Sequence, residues 1–392
     1  MKTMTVRLGD VAAIERTVAS EGDCATLPYV GLEHIEKDSG NFTADFARRP
    51  EELLATKFRF TPRHVLYGKL RPYLNKVALP DFAGVCTTEI LPICPEANAL
   101  DRGFLFGLLL SPAFVAWASH SVSGANLPRL DPELLQEYEF VLPPLPEQRR
   151  IAGLLELADR LRRTRRYTLE LSDTFLPAAF LEIFGDPAMN PKGFPTESVG
   201  SVFSKQREGA KCGPFGTALK KQEYVPDGIP VWTMENVGQN EFQEEGCLYI
   251  TPPKYDELKA YDAQNGDILV SRAGTVGRMA VVRTKYPRSI IHSNIIRLSL
   301  DPALCLPVYF SVLMTYFASR VGRLKRGQED AYTFMNTSRL AEIQILLPPF
   351  PVQQKFAALV ERHERLRAVQ RESLRQAEHL FQSLLHQSFA QA

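Results

Sequence analysis

An α+β fold built twice in tandem is what this 392-residue sequence predicts. The first observation behind it is an internal repeat. Glu139-Phe140-Val141-Leu142-Pro143-Pro144-Leu145-Pro146-Glu147-Gln148-Arg149-Arg150 returns as Gln344-Ile345-Leu346-Leu347-Pro348-Pro349-Phe350-Pro351-Val352-Gln353-Gln354-Lys355, which places Pro348 205 residues after Pro143. The second is that short strand-like segments upstream keep the same order. Val65-Leu66-Tyr67-Gly68-Lys69-Leu70-Arg71 matches Ile268-Leu269-Val270-Ser271-Arg272-Ala273-Gly274, and Thr88-Glu89-Ile90-Leu91 matches Ser293-Asn294-Ile295-Ile296. The third is that each repeated junction opens a long stretch of three-four apolar spacing. A unit of about 200 residues is far too long for a solenoid repeat, so the reading is two domains, each followed by one helix. The boundaries expected are a domain over 1–145, a helix over 146–186, a second domain over 187–350 and a second helix over 351–392.

The first helix is located by its ends. Pro143, Pro144 and Pro146 stop the preceding strand and suit a helix start, and Gly185 with Pro187 closes it. Between them Ile151, Leu154, Leu155, Ala158 and Leu161 form one apolar stripe, resumed by Leu171, Phe175, Ala179 and Ile183. Pro177 interrupts the pattern and is expected to kink or break the helix near Asp173, because an interior proline removes a hydrogen bond one turn back. The second helix carries Phe356, Leu359, His363, Leu366, Gln370, Leu374, Ala377, Phe381, Leu384 and Ser388 on a stripe without proline or glycine. Roughly 38 helical residues would span about 57 Å, more than a small core requires. An antiparallel coiled coil relating the halves by a pseudo-two-fold, in a dumbbell, is the expected arrangement; the alternative is that each helix covers a sheet. Aspartates at Leu366 and Leu374 are expected to disrupt it.

Composition narrows the function. With 45% hydrophobic and 23% charged residues the chain reads as a soluble globular protein. Cys24, Cys86, Cys94, Cys212, Cys247 and Cys305 are scattered without a C-x-x-C pair, which suggests reduced cytoplasmic thiols and neither a disulfide framework nor a metal site. The most apolar stretch, near Phe104 to Trp117, is broken at Ser111-Pro112 and reads as a buried helix pair, not a membrane span. The phosphate loop G-x-x-x-x-G-K-[ST], the dinucleotide G-x-G-x-x-G and the G-x-S-x-G elbow are missing from the sequence. Leu347-Pro348-Pro349-Phe350 has the outline of an adenine methyltransferase tetrapeptide, but a leucine cannot hydrogen-bond a flipped base, so the chain is read as non-catalytic.

The net charge of +1 is uninformative, whereas its distribution is not. Lys57, Arg59, Arg63, Lys69, Arg71 and Lys76 stand together with Phe58, Phe60, Tyr67 and Tyr73 and no acidic residue. Arg272, Arg278, Arg283, Lys285, Arg288 and Arg297 occupy the matching place in the second half. Matched cationic segments suit phosphate contacts flanking base-reading side chains, at two sites. Arg320, Arg323, Lys325 and Arg326, followed by Gly327-Gln328-Glu329-Asp330, form a further cluster whose first-half equivalent is Ser123-Gly124-Ala125-Asn126 with Arg129. Amide and guanidinium groups there suit bidentate pairing with purine edges, a solvated surface being the alternative for each residue. The DNA-contact candidates are Lys69, Arg71, Tyr73, Lys76, Asn126 and Arg129 in the first half. In the second they are Ser271, Arg272, Thr275, Arg278, Asn294, Arg326 and Gln328. Arg160, Arg162, Arg163, Arg165 and Arg166 on the first helix suit DNA between the sites, or ion pairing with Glu156 and Asp159.

These segments together resemble the specificity subunits of type I restriction-modification systems. The resemblance rests on Tyr29-Val30-Gly31-Leu32-Glu33-His34-Ile35, Val65 to Lys76, Cys86-Thr87-Thr88-Glu89-Ile90, Gly213-Pro214-Phe215-Gly216, Gly228-Ile229-Pro230-Val231, Glu235-Asn236-Val237, Gly266-Asp267-Ile268-Leu269, Gly274-Thr275-Val276-Gly277, both L-P-P-x-P-x-Q junctions and Phe184-Gly185-Asp186-Pro187. It implies two target-recognition domains joined by spacer helices, each reading half of a bipartite site in double-stranded DNA. It also implies two methyltransferase subunits that hold S-adenosylmethionine, and up to two restriction subunits that use ATP and Mg, so that this chain binds no cofactor itself. The specificity subunit of a related type IIB-like bifunctional enzyme is the alternative.

Overall fold

A computed structural model describes residues 4–43, 55–124, 126–215, 218–272, 276–318 and 337–390. The chain divides into two compact units, Met1–Thr168 with Gln370–Ala392, and Leu169–Val369. Each long helix therefore contributes one part to each unit.

At the centre of the first unit is a four-stranded antiparallel sheet in the order Ala12–Ile14, Ile90–Pro95, Val65–Gly68, Val77–Ala78. The second unit has Ala210–Cys212, Ile295–Leu298, Ile268–Ser271, Met279–Val281 in the corresponding order, also antiparallel. The central strands are buried on both faces, so their side chains divide by the two-residue period of a strand. Val65 and Tyr67 enter one core with Leu91, Ile93 and Val77, while Leu66 enters another with Ile90 and Ala78. The second unit repeats this, with Ile268, Val270, Ile296 and Met279 on one side and Leu269, Ile295 and Ala280 on the other. Because both faces are covered, these strands read as continuous apolar runs without alternation.

One face of each sheet is covered by helices. Arg102–Leu110 and Pro112–His120 do this in the first unit, bent by 61° at the break. Asp101 caps the first of them and Ser111 the second, through side-chain oxygens that accept from Phe104 N and Phe114 N. Phe104, Leu105, Leu108 and Phe114 are fully buried, which agrees with a core helix pair. No single helix among the described residues is long and apolar enough to cross a membrane. In the second unit Pro307–Phe317 takes this position. The other face is covered by a second sheet, of three strands in the first unit and four in the second. It contains the parallel pair Tyr29↔Val85 in the first unit and Val231↔Ile290 in the second.

Each repeated junction closes a two-stranded ribbon, Met4–Arg7 with Glu139–Leu142 and Thr196–Ser198 with Gln344–Leu346. The glutamine after each junction then acts as a buried clasp. Gln148 Nε2 donates to the carbonyls of Ala99 (2.9 Å) and Pro143 (2.8 Å), and its Oε1 accepts from Asp101 N at 2.7 Å. Gln353 Nε2 donates to Leu304 O (3.1 Å) and Pro348 O (2.8 Å), and its Oε1 accepts from Leu306 N at 2.9 Å. One amide thus ties the residue that caps the core helix to the proline turn that starts the long helix.

The long helices are Leu145–Asp173, continued by Phe175–Phe184, and Phe350–Phe389. The interruption falls at Thr174, as Pro177 predicts, and the helix closes at Gly185 with φ of 78°. In the first unit Ile151, Leu155 and Ala158 pack with Phe381, Leu385 and Phe389. Arg162 lies 3.9 Å from the Phe381 ring centroid, and Arg166 pairs with Glu378 at 3.2 Å. In the second unit Leu176, Phe180 and Phe184 pack with Phe356 and Val360. His363 stacks on Phe175 at 5.1 Å and its Nε2 meets Ser172 O at 3.0 Å, while Arg367 pairs with Asp173. Within each unit, rising numbers on one helix meet falling numbers on the other, so the paired segments run antiparallel.

The buried stripe is not the one drawn from apolar residues alone. Leu154, Leu161 and Leu366 are exposed, the last at 55%, and Leu171 and Phe175 are also exposed. In the first unit the inward residues Ile151, Leu155, Ala158 and Arg162 face Phe381, Leu385 and Phe389, and in the second Ser172, Leu176 and Phe180 face Phe356, Val360, His363 and Arg367, with Gln148 and Gln353 buried at the two helix starts. Polar residues take inward positions because each finds a hydrogen-bond or ion-pair partner there, which removes the penalty that periodicity reading assumes. Leu359 and Leu384 are partly buried against the cores, Leu374 is half-buried, and Phe356 and Phe381 are buried as expected.

Two predictions follow from this packing. Leu366→Asp changes the unfolding free energy by about 0.5 kcal/mol or less, whereas Phe381→Asp costs more than about 3 kcal/mol in urea denaturation. Gln353→Leu, which keeps volume but strands three buried backbone groups, costs about 3 kcal/mol in the same measurement.

Candidate nucleic-acid interface

A sheet buried on both faces confines solvent-facing chemistry to its ends. In the first unit the chain leaves Val65–Gly68, turns through residues 69–76 and re-enters at Val77. Two residues in this turn hold positive φ, Arg71 (53°) and Asn75 (46°), with Pro72–Leu74 forming a single tight turn between them. Backbone hydrogen bonds lock the turn to its neighbours: Lys69 N donates to Glu89 O, Arg71 N to Pro128 O and Leu130 N to Lys69 O. Lys69, Arg71 and Tyr73 are thereby held beside the ribbon that carries Asn126. Arg71, Tyr73 and Asn126 are exposed and Lys69 is half-buried.

The corresponding turn of the second unit leaves Ile268–Ser271 and re-enters at Met279. Arg272 N donates to Asn294 O at 2.8 Å, and Asn294 Oδ1 lies 2.9 Å from His292 Nδ1. Gly213 packs so closely here that a Cβ would stand 2.0 Å from the carbonyl oxygen of His292. That contact brings in Phe215, 60% exposed, whose ring lies 5.0 Å from the Arg272 guanidinium. Arg278 is exposed on the same turn. Among the described residues Lys69, Arg71, Arg272 and Arg278 form no ion pair, which leaves their charge available to an anionic partner.

Other cations of the two basic segments have structural work. Lys76 Nζ donates to Leu32 O at 2.6 Å, and burial pulls its pKa down. Arg129 pairs with Glu89 at 2.9 Å. Ser271 is buried, with Oγ accepting from Arg278 N, so it shapes the turn. Lys57 is buried with Nζ on Ala55 O, Arg59 and Arg63 face Asp23 and Glu15, and Arg283 pairs with Glu364. Arg297 is 2% exposed and contacts Asp262 and Glu208 O; burial lowers its pKa despite Asp267 and Asp262 nearby. On the first long helix, Arg160, Arg162 and Arg163 pair with Glu156 and Asp159. Charge counting cannot separate Arg59, Arg63, Arg129 and Arg283 from free cations, because their acidic partners are distant in sequence, whereas the pairs on the long helix are three or four residues apart and are readable. Thr275, Arg326 and Gln328, with the cluster from Arg320 and the loop 327–330, lie outside the described residues.

Residues 199–379 match the model of the type I restriction modification DNA specificity domain. Over those residues, most of which lie in the second unit, the chain is similar to that domain. Over 183 residues this chain is 30% identical to the EcoDI type I restriction enzyme specificity subunit of Escherichia coli, covering 45% of this chain and 40% of that protein. It is 20% identical over 310 residues to the MjaVIII specificity subunit of Methanocaldococcus jannaschii, covering 75% of this chain and 71% of that one. Two solved structures share the fold. A chain from a type I restriction-modification system, studied for its complex assembly and conformational transition, aligns with a TM-score of 0.58 at 21% identity, over 99% of this chain and 97% of its own. The S subunit from M. genitalium aligns with a TM-score of 0.62 at 14% identity, over 99% and 96%. The matched domain spans the Phe215, Arg272 and Arg278 turn, a residue set in which only Phe215 was absent from the sequence candidates. Its signal was the Gly213-Pro214-Phe215 segment.

Arg297→Ala leaves a buried cavity and removes a donor from the Asp262 and Glu208 carbonyls, with Arg207 still on Asp262 and Asp267, and destabilises the chain by about 2–4 kcal/mol in urea denaturation, whereas Arg272→Ala changes the unfolding free energy by about 0.5 kcal/mol or less. Equal losses for the two variants contradict this division of the basic residues.

Proposed function

We propose that this chain is a DNA-reading specificity subunit of a type I restriction-modification complex, recognising a bipartite site in double-stranded DNA without catalysing a reaction itself. The observation that carries the reading is the recurrence of one turn. The loop after Val65–Gly68 and the loop after Ile268–Ser271 occupy equivalent positions in sheets of the same strand order, and each presents unpaired cations beside an exposed aromatic ring. Lys69, Arg71 and Tyr73 would serve one half-site, and Arg272, Arg278 and Phe215 the other. Guanidinium and ammonium groups there meet phosphates or guanine edges, and the backbone locks on each turn keep them oriented before binding.

In the same reading, 1–145 and 187–350 are target-recognition domains, and 146–186 and 351–392 are spacer helices paired as an antiparallel coiled coil. The exposed apolar residues of the helices, including Leu157, Leu161, Leu366 and Val369, would be covered by two methyltransferase subunits. Those subunits would supply S-adenosylmethionine, and up to two restriction subunits would supply ATP and Mg chemistry. A fused methyltransferase-nuclease would be the partner in a type IIB-like enzyme.

Methylated adenines mapped in a host carrying this chain and its methyltransferase fall in a split motif with a fixed gap. In the assembled complex, Arg272→Ala weakens binding to that duplex and lowers the slope of log affinity against log salt by about one, as does Lys69→Ala. Base preference shifts in only one half of the motif for each variant. An unsplit motif, or a shift in both halves, defeats the proposal.

A further inference from the structure

At the opposite end of the Val65–Gly68 strand from Lys69, three chemically different donors converge. His64 precedes Val65, Cys94 lies on the adjoining Ile90–Pro95 strand, and Glu15 follows the edge strand Ala12–Ile14. The register explains the meeting. Val65 pairs with Ile93 and Ile14 pairs with Ile93 from the other side, so Cys94 stands across from His64 on one flank and from Ala13 on the other. Glu15 is two residues on from Ala13 and shares its face. The ligand atoms of Glu15, His64 and Cys94 all lie within 4.8 Å of one another, and Glu15 Oε2 is 2.9 Å from His64 Nε2.

We propose that Glu15, His64 and Cys94 form a binding site for a divalent transition-metal cation of the zinc type, with one coordination position left to water. The donor set selects the metal. A thiolate, an imidazole and a carboxylate suit a borderline ion such as zinc or cobalt, whereas magnesium and calcium require oxygen ligands. The geometry is close to binding. Tetrahedral zinc places neighbouring donors about 3.3–3.7 Å apart, so side-chain rotation by about an ångström closes the site.

His64 is already aimed. Its side chain is 2% exposed, and Nδ1 is held by Thr61, whose N–H lies at 3.0 Å and whose carbonyl oxygen lies at 3.2 Å. In the tautomer that frees Nε2 for the metal, Nδ1–H gives up the Thr61 N–H and turns to donate to Thr61 O or Oγ1, 3.2 and 3.1 Å away. Arg63, 3.6 Å from Glu15 Oε2, is 69% exposed and free to swing into solvent as the cation replaces it. Such an ion would pin the edge strand and the Val65 strand to the strand between them, at a distance from the DNA-facing turn. The site does not depend on the reading of the chain as a specificity subunit.

The test uses the purified full chain titrated with cobalt(II). A sulfur-to-cobalt charge-transfer band saturates at one equivalent, and zinc abolishes it by displacement. The band is lost in Cys94→Ser and in His64→Gln, weakened in Glu15→Gln and unchanged in Cys24→Ser. Zinc raises the melting temperature of the parent and, by less, that of Glu15→Gln, whose substitution at a partly exposed position leaves the circular dichroism spectrum unaltered. Absence of the band from the parent, or its persistence in Cys94→Ser, overturns the site.

Discussion

Both faces of the central sheet in each unit are buried, and this constraint governs where everything else can be. Tyr67 and Leu66, adjacent in sequence, belong to different cores, so a slip of one residue would exchange two sets of apolar side chains. The strands consequently cannot carry solvent-facing chemistry along their length. Chemistry is confined to strand ends, where the backbone escapes its ladder and must satisfy its polar groups through turns.

The two ends of the Val65–Gly68 strand show how this works. At one end, positive φ at Arg71 and Asn75 permits a turn that projects Arg71 and Tyr73 while Lys69, Arg71 and Leu130 are fixed through their backbone. At the other, the register gathers Glu15, His64 and Cys94. In both cases the side chains are positioned by hydrogen bonds made elsewhere, which lowers the entropy lost when a ligand orders them. The second unit uses a different local device, Gly213 against the His292 carbonyl, to place Phe215 beside Arg272.

The helices follow from a related constraint. Each starts at a proline junction clasped by a buried glutamine, so its direction is set by the domain it leaves. Beyond the clasp, each helix keeps a mixed inward face. Arg162 over Phe381 and His363 against Phe175 combine apolar contact with a polar partner. Polar pairing of this kind specifies register more narrowly than leucines alone, which can slide past one another.

The repeat, the strand segments, the proline junctions, the helix ends and the break before Pro177 were all legible from sequence, because each rests on local backbone chemistry or on order along the chain. Proline and glycine restrict or extend φ wherever they occur, and a duplication keeps its spacing. What only the tertiary structure decided was which polar residues are satisfied. Arg297 and Lys76 look like surface cations in sequence, yet their partners come from remote segments. Leu366 looks like a core residue, yet Arg367 with Asp173 takes the inward place. The convergence of Glu15, His64 and Cys94 was equally hidden, since no spacing encodes it: strand register alone brings the three side chains together.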